Sequence, residues 1–247
     1  MIKQIFGEYV GIYTLPNAKS YNEDLIKYAY FADSLTTQFK EHIESCKTQE
    51  EKISRLALSE QIMRRAHFLP EFPILWFDDV MWALNEYVKG LGDQMYQRSF
   101  PFSAPYISSS WSNLIPPGKN IKSHDHSRFN ARFSVAYYPK FLNNQGDLYI
   151  ENTKLATNEK MYPHKDFPLR EKIECEESRL VIFPGYVWHH TEHNKSNEDR
   201  INISCDIKYL GIDMDVPPVH LVEELTFALQ QTIKQTFKFH YERKMDN

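Results

Sequence analysis

From Tyr106 to Leu210 the chain is cut into short β-branched or aromatic runs separated by Pro, Gly and Asn clusters. That texture restricts it to a sandwich or barrel of short strands, expected at 107–115, 129–138, 147–151, 179–184 and 200–209. The flanks read differently. Ile2 to Tyr13 alternates loosely between apolar and polar and predicts an edge strand. Ser20-Tyr21-Asn22-Glu23 has capping-box spacing, so a helix is expected to about Cys46, with Leu25, Tyr28, Phe31 and Leu35 on one face. Thr48-Gln49-Glu50-Glu51 repeats the signal before a helix carrying Ile53, Leu56 and Leu58, ended by Pro70 and Pro73. Asp78 to Met95 predicts a third helix, burying Val80, Met81, Leu84 and Val88. Pro217-Pro218 opens a last one, with Leu221, Leu225, Leu229, Ile233 and Phe237 along one face. The expected fold is α+β with a mainly β core at 106–210. An N-terminal strand and helical buttress (1–105) and a C-terminal helix (217–243) flank it within one domain, 1–247.

Several function classes drop out early. Lys+Arg 29 against Asp+Glu 33 leaves a net charge of −4, so no bulk charge favours nucleic acid or an anionic membrane. None of the 8 glycines forms a G-x-G-x-x-G or a G-x-x-x-x-G-K-[ST] loop. Cys46, Cys175 and Cys205 are odd in number and lack a C-x-x-C pair, so neither a disulfide framework nor a cysteine zinc site is expected. Met1 to Phe6 carries no signal-peptide run and no stretch approaches ~18 apolar residues, which together predict a cytoplasmic chain without a membrane partner. Basic residues Lys234, Lys238, Arg243 and Lys244 fit the solvated face of a buttress helix better than a nucleic-acid patch.

Chemistry-bearing residues concentrate in the β core. His124 and His126 flank Asp125 just before a long strand, and residues two apart on an extended segment share a face. Both imidazoles can therefore meet one metal while Asp125 faces away. Trp188-His189-His190 follows the strand-like Arg179-Leu180-Val181-Ile182-Phe183-Pro184. Arg200 follows that pair's first histidine after ten intervening residues, opening Ile201-Asn202-Ile203-Ser204-Cys205.

This order resembles the iron(II)- and 2-oxoglutarate-dependent oxygenases, in particular their prolyl-4-hydroxylase-like branch. Phe133-Ser134-Val135-Ala136-Tyr137-Tyr138-Pro139 is similar to the family strand that follows the first ligands. Gly146-Asp147-Leu148-Tyr149-Ile150-Glu151-Asn152 resembles its hairpin strand, and Leu180 to His189 and Asp199 to Ser204 resemble its last two motifs. The likeness covers about residues 110–209. It implies a double-stranded β-helix (jelly roll, cupin-like). It also implies iron(II) as metal, with 2-oxoglutarate and dioxygen as cosubstrates. Under it, His124, His126 and His189 are the ligands, and Arg200 holds the far carboxylate of 2-oxoglutarate through a fork that keeps its charge. Tyr138 matches a tyrosine that shares that carboxylate, and Asn202 stands where relatives carry Ser or Thr.

One departure stands out. The family's usual ligand pair is His-x-Asp or His-x-Glu, whereas this chain reads His-Asp-His. Either His124, His126 and His189 form a three-histidine site, or a bulge turns Asp125 inward as a carboxylate ligand. The strand period favours the first.

Each residue also has an ordinary reading. His124 and His126 alone would be loop histidines, Arg200 a surface ion pair beside Glu198 and Asp199, and Tyr138 sheet packing. His190 is expected to point away from the metal, His193 to lie at the surface and His164 in a loop. Ser108-Ser109-Ser110-Trp111 and Trp188 are candidate pocket walls, and 152–170 a lid. The functional expectation is an oxygenase that hydroxylates a C–H bond of a small molecule or amino-acid residue, with release of succinate and carbon dioxide. The alternatives are a three-histidine dioxygenase without 2-oxoglutarate, and a non-catalytic cupin-like binding domain.

Overall fold

Two antiparallel sheets of unequal size dominate the chain. The computed structural model describes residues 1–53, 56, 72–91, 105–153 and 168–209. In chain order the elements are β1 (Ile2–Ile5), β2 (Glu8–Thr14), α1 (Asn22–Glu44), α2 (Ile74–Gly90), β3 (Pro105–Ile115), β4 (Phe133–Lys140), β5 (Leu148–Glu151), β6 (Arg170–Ile173), β7 (Arg179–Pro184), β8 (His189–Thr191) and β9 (Arg200–Tyr209). The larger sheet runs β1-β2-β7-β4-β9-β3 and the smaller β6-β5-β8. Among the described residues the fold is thus mostly sheet with few helices. The last helix expected at 217–243 lies outside the described residues, as do most of the second helix and His164.

Strand period two divides the larger sheet into two faces. Phe133, Val135 and Tyr137 of β4, Leu180 and Ile182 of β7, and Ile201, Ile203, Cys205 and Ile207 of β9 pack against α1 and α2, beside Leu25, Tyr28, Trp76, Val80, Leu84 and Tyr87. Ala136, Tyr138, Val181 and Phe183 turn the other way, onto Leu148 and Ile150 of β5 and Ile173 of β6. Each buried Val, Leu, Ile or Phe among them contributes roughly 1.5–3 kcal/mol by burial. A pocket opens between the sheets, on the second face.

A bulge fixes which β3 residues reach that face. Ile107 pairs with Ile207, but Ser109 pairs with Asp206, so Ser108 is the extra residue. A one-residue insertion inverts the facing of everything beyond it. Ile107 therefore packs with the helix layer, while Trp111 and Asn113 line the pocket.

Several local expectations are corrected. The N-terminal segment is a hairpin, its turn made by Phe6 (φ 54°) and Gly7 (φ 88°), a two-residue turn with both φ positive; β1 is the edge and β2 is internal. Ser20 does not cap α1, because its hydroxyl donates to the Asn17 carbonyl and closes a short 3-10 turn. Thr48 does act as a cap, with its Oγ accepting from the Glu51 amide at 3.2 Å. Pro73 is the N-cap residue of α2; the end of the helix expected before it lies outside the described residues. Met81 and Val88 are only partly buried there, and Asp79 is buried instead, accepting from the Tyr21 hydroxyl (2.6 Å) and from Asn17. β4 starts four residues later than expected, after a 3-10 turn at Ser127–Phe129 that ends on left-handed Asn130. Strands β6 and β8 were not expected; at four and three residues, they are too short to show a period.

Candidate metal centre

The segment before β4 is laid over β8. His124 and His189 exchange both backbone hydrogen bonds, at 3.1 and 3.0 Å, as an isolated antiparallel bridge. The His126 amide then donates to the Gly185 carbonyl at 2.8 Å. These anchors bring His124, His126 and His189 together, with one potential ligand atom from each within 4.8 Å of the others. The ring centroids are 4.3 Å apart for His124–His189, 5.2 Å for His124–His126 and 5.3 Å for His126–His189.

Hydrogen bonding decides which nitrogen each ring offers. His124 Nδ1 lies 2.8 Å from the Lys122 carbonyl, and His189 Nδ1 lies 2.9 Å from the Val187 carbonyl. A carbonyl only accepts, so both rings carry Nδ1–H and keep the Nε2 lone pair. His126 Nδ1 meets Asp206 Oδ1 at 2.6 Å, which places its Nδ1–H toward the carboxylate and leaves Nε2 as the atom it can offer a metal. Three clustered imidazoles, each with Nδ1 engaged elsewhere, suit iron, zinc, copper or nickel better than magnesium or calcium. The donor set fits the iron(II) that the resemblance implies.

Electrostatics favours that neutral state. Burial first, and then the neighbouring His124, pull the His189 pKa down to about 3. Burial likewise lowers His124. Above pH 6.5 His189 is neutral whether the chain is folded or not. Below it the unfolded chain takes a proton that the folded one refuses until about pH 3. Stability of the metal-free protein is therefore expected to fall as pH drops from 6.5 to 5, by up to about 1.4 kcal/mol per pH unit for one such group. Melting temperatures across that range should show a shallower slope in His189→Gln; an unchanged slope would show that His189 does not cause it.

Asp125 is not in the cluster. Its carboxylate accepts from the Ser127 amide (3.3 Å) and hydroxyl (3.0 Å), turned away from the three rings. The bulged arrangement is not the one observed, because a local side-chain turn already satisfies the carboxylate. His190 also points away: it stacks on Tyr149 at 5.3 Å and meets Glu151 Oε1 at 2.6 Å, while His193 is exposed. Trp111 lines the pocket, whereas Trp188 is 40% exposed and does not.

Arg200 is fully buried behind the pocket wall. Its Nη1 donates to the carbonyls of Gln145 (2.8 Å), Gly146 (2.9 Å) and Glu192 (3.2 Å), and its Nη2 to Thr191 Oγ1 at 2.5 Å. Its Nε is buried without a partner. Gly146 is needed where it is: φ is +87°, and a Cβ would sit 2.6 Å from the Glu192 carbonyl oxygen. Thr191, Tyr138 and Asn202 all line the pocket on this side. Burial and then Cys175 push the Tyr138 hydroxyl well above its ordinary pKa, so it is a neutral donor. Asn202 Nδ2 donates to Ser204 Oγ at 2.9 Å, and its Oδ1 is buried without a partner.

Sequence reading missed Asp206, the buried carboxylate behind His126, and Thr191, which joins Arg200 to the pocket. The signal for Asp206 was present: along Arg200-Ile201-Asn202-Ile203-Ser204-Cys205-Asp206-Ile207 every second residue is polar, which places Asp206 on the Arg200 face. β8, which carries Thr191, is too short to give such a signal.

Residues 109–206, under half of the chain, match the model of a family described as "Putative 2OG-Fe(II) oxygenase". A search of curated proteins finds no match. Among solved structures the chain is similar to a 2OG-Fe(II) oxygenase family oxidoreductase from Burkholderia pseudomallei, at 13% identity and TM-score 0.34 over 51% of this chain and 58% of that one. It is also similar to iron-bound HygX from Streptomyces hygroscopicus, at 8% identity and TM-score 0.33 over 48% and 65%. The nickel complex of the non-heme monooxygenase ThoJ matches at 11% and TM-score 0.38 over 80% and 73%. The chain thus spans 45–58% of the length of several such relatives.

Proposed function

We propose that this chain, whose residues 109–206 match the model of a family described as "Putative 2OG-Fe(II) oxygenase", is an iron(II)- and 2-oxoglutarate-dependent oxygenase that hydroxylates a C–H bond of a small molecule or amino-acid residue. The observation that carries the reading is the convergence of three Nδ1-anchored imidazoles in a pocket between the sheets. The facing sheets support a double-stranded β-helix, and the reading treats 1–247 as one oxygenase domain.

In this reading His124, His126 and His189 hold the metal through Nε2, leaving the remainder of its sphere to the cosubstrates. When bound, iron(II) supplies oxygen activation coupled to decarboxylation of 2-oxoglutarate to succinate. The chain itself binds, orients and excludes water. Arg200 offers its unpaired Nε to the far carboxylate of 2-oxoglutarate, with the Tyr138 hydroxyl as second donor and Asn202 alongside. Phe183 and Leu148 keep that end of the pocket apolar, which strengthens charge-assisted hydrogen bonds.

One observation favours a second reading, a three-histidine dioxygenase without 2-oxoglutarate: Arg200 already donates to four oxygens of the protein. Anaerobic calorimetric titration of 2-oxoglutarate into manganese(II)-loaded protein separates the two. Metal-dependent binding supports the first reading; none at millimolar 2-oxoglutarate overturns it and supports the second.

A further inference from the structure

The carboxylate missing from the ligand set is present one imidazole away. Asp206 is 1% exposed, and its Oδ1 takes a 2.6 Å hydrogen bond from His126 Nδ1. Three further groups fix Asp206. Ser134 Oγ donates to the same Oδ1 at 2.9 Å, Ser109 Oγ to Oδ2 at 3.2 Å, and Ser108 Oγ to the backbone carbonyl at 3.2 Å. All three serines lie on flanking strands β3 and β4. The bulge at Ser108 gives Ser109 its place opposite Asp206. A charged group this deep persists only when its oxygens are satisfied, and here they are.

The other two rings are held differently. His124 and His189 donate to backbone carbonyls, which fix orientation but carry no net charge. Only His126 leans on a carboxylate. A carboxylate behind an imidazole holds the tautomer and raises the basicity of the far nitrogen. It also places a negative charge near a metal whose three neutral ligands leave its double charge uncompensated.

We propose that Asp206 is a positioning residue of the metal centre: through His126 it supplies, one shell out, the charge and fixed geometry that a directly bound carboxylate gives elsewhere. The inference rests on the metal-binding reading above. It makes His126 the strongest donor of the three ligands and Ser109 and Ser134 the supports of that pair.

The test uses cobalt(II), titrated anaerobically and followed by its visible absorption, with ¹⁵N spectra of the metal-free imidazoles as a second readout. Asp206→Leu, similar in size but without acceptors, is expected to weaken cobalt(II) binding about 10- to 100-fold. It should also release His126 from its Nδ1–H tautomer. Asp206→Asn, whose amide oxygen still accepts from Nδ1, should fall between Leu and the unaltered protein. A purely structural role would lower the melting temperature but leave the His126 tautomer in place. Folded Asp206→Leu with unaltered cobalt(II) affinity overturns the proposal. Should Asp206→Leu fail to fold, Asp206→Asn decides: a several-fold loss upholds the proposal, and full affinity overturns it. If the unaltered protein binds no cobalt(II), the metal-binding reading falls and this inference with it. That result is distinguishable, because His124→Ala and His189→Ala would then be no different from the parent.

Discussion

Arg200→Ala is expected to weaken 2-oxoglutarate binding roughly 30- to 3,000-fold. Removing one side of a desolvated, hydrogen-bonded charge pair costs about 2–5 kcal/mol, much of it from the carboxylate left unpaired, and about 1.4 kcal/mol corresponds to tenfold. The structure adds a second effect. The same guanidinium satisfies the carbonyls of Gln145, Gly146 and Glu192 and the Thr191 hydroxyl. Truncation removes this donor from the three buried carbonyls, while Thr191 Oγ1 keeps the Ile121 amide, so a lower melting temperature should accompany the loss. Arg200→Lys separates the two effects: it keeps the charge but cannot reproduce a planar fork that serves several oxygens at once. It should recover only part of the affinity. The measurement is calorimetry on manganese(II)-loaded, demonstrably folded protein without oxygen. Equal affinity in the unaltered protein and Arg200→Ala would make Arg200 a staple between β9 and the β5–β8 side of the pocket, with the cosubstrate anchored elsewhere.

His189→Ala should weaken metal binding by about two to three orders of magnitude. Apparent binding energies of about 10–16 kcal/mol spread over four protein ligands in structural zinc sites come to roughly 2.5–4 kcal/mol per ligand, or about 10²–10³-fold. The site is prepared for the loss to show. His189 is buried, its Nδ1 is fixed by the Val187 carbonyl, and it is held neutral by burial. Among the described residues the adjacent His190 cannot replace it, since it stacks on Tyr149 away from the cluster. Asp125→Ala is the matched control and should leave affinity unchanged, because its carboxylate serves Ser127. Competition titration with a chelator measures both. Loss in Asp125→Ala with retention in His126→Ala would show that the bulged carboxylate site forms when metal is present.

The features legible in the sequence are those that a few neighbouring residues settle among themselves. The i, i+2 spacing suggests a shared face for His124 and His126 if the segment is extended, and the bridge of His124 to His189 supplies that extension. Alternation along β9 places Arg200 and Asn202 together on one face of the sheet, and their hydrophobic partners on the other. The five strands of the β core were readable because their apolar period is set by burying one or both faces of a sheet. Local competition blurred the edges: Ser20 closes a turn where a cap was expected, and Asn130 delays β4.

What the tertiary structure decided depends on partners far apart in the chain. Asp206 meets His126 across 80 positions. Arg200 gathers acceptors from β8 and from the turn before β5, and the sequence alone does not say which carbonyls a guanidinium will find. The bulge at Ser108 inverts the facing of Trp111 and Asn113, and only pairing with β9 reveals the extra residue. β6 and β8, at four and three residues, are strands because neighbouring strands supply their hydrogen bonds. Local periodicity can choose the face of a side chain, but its partner is chosen by the packing of the two sheets.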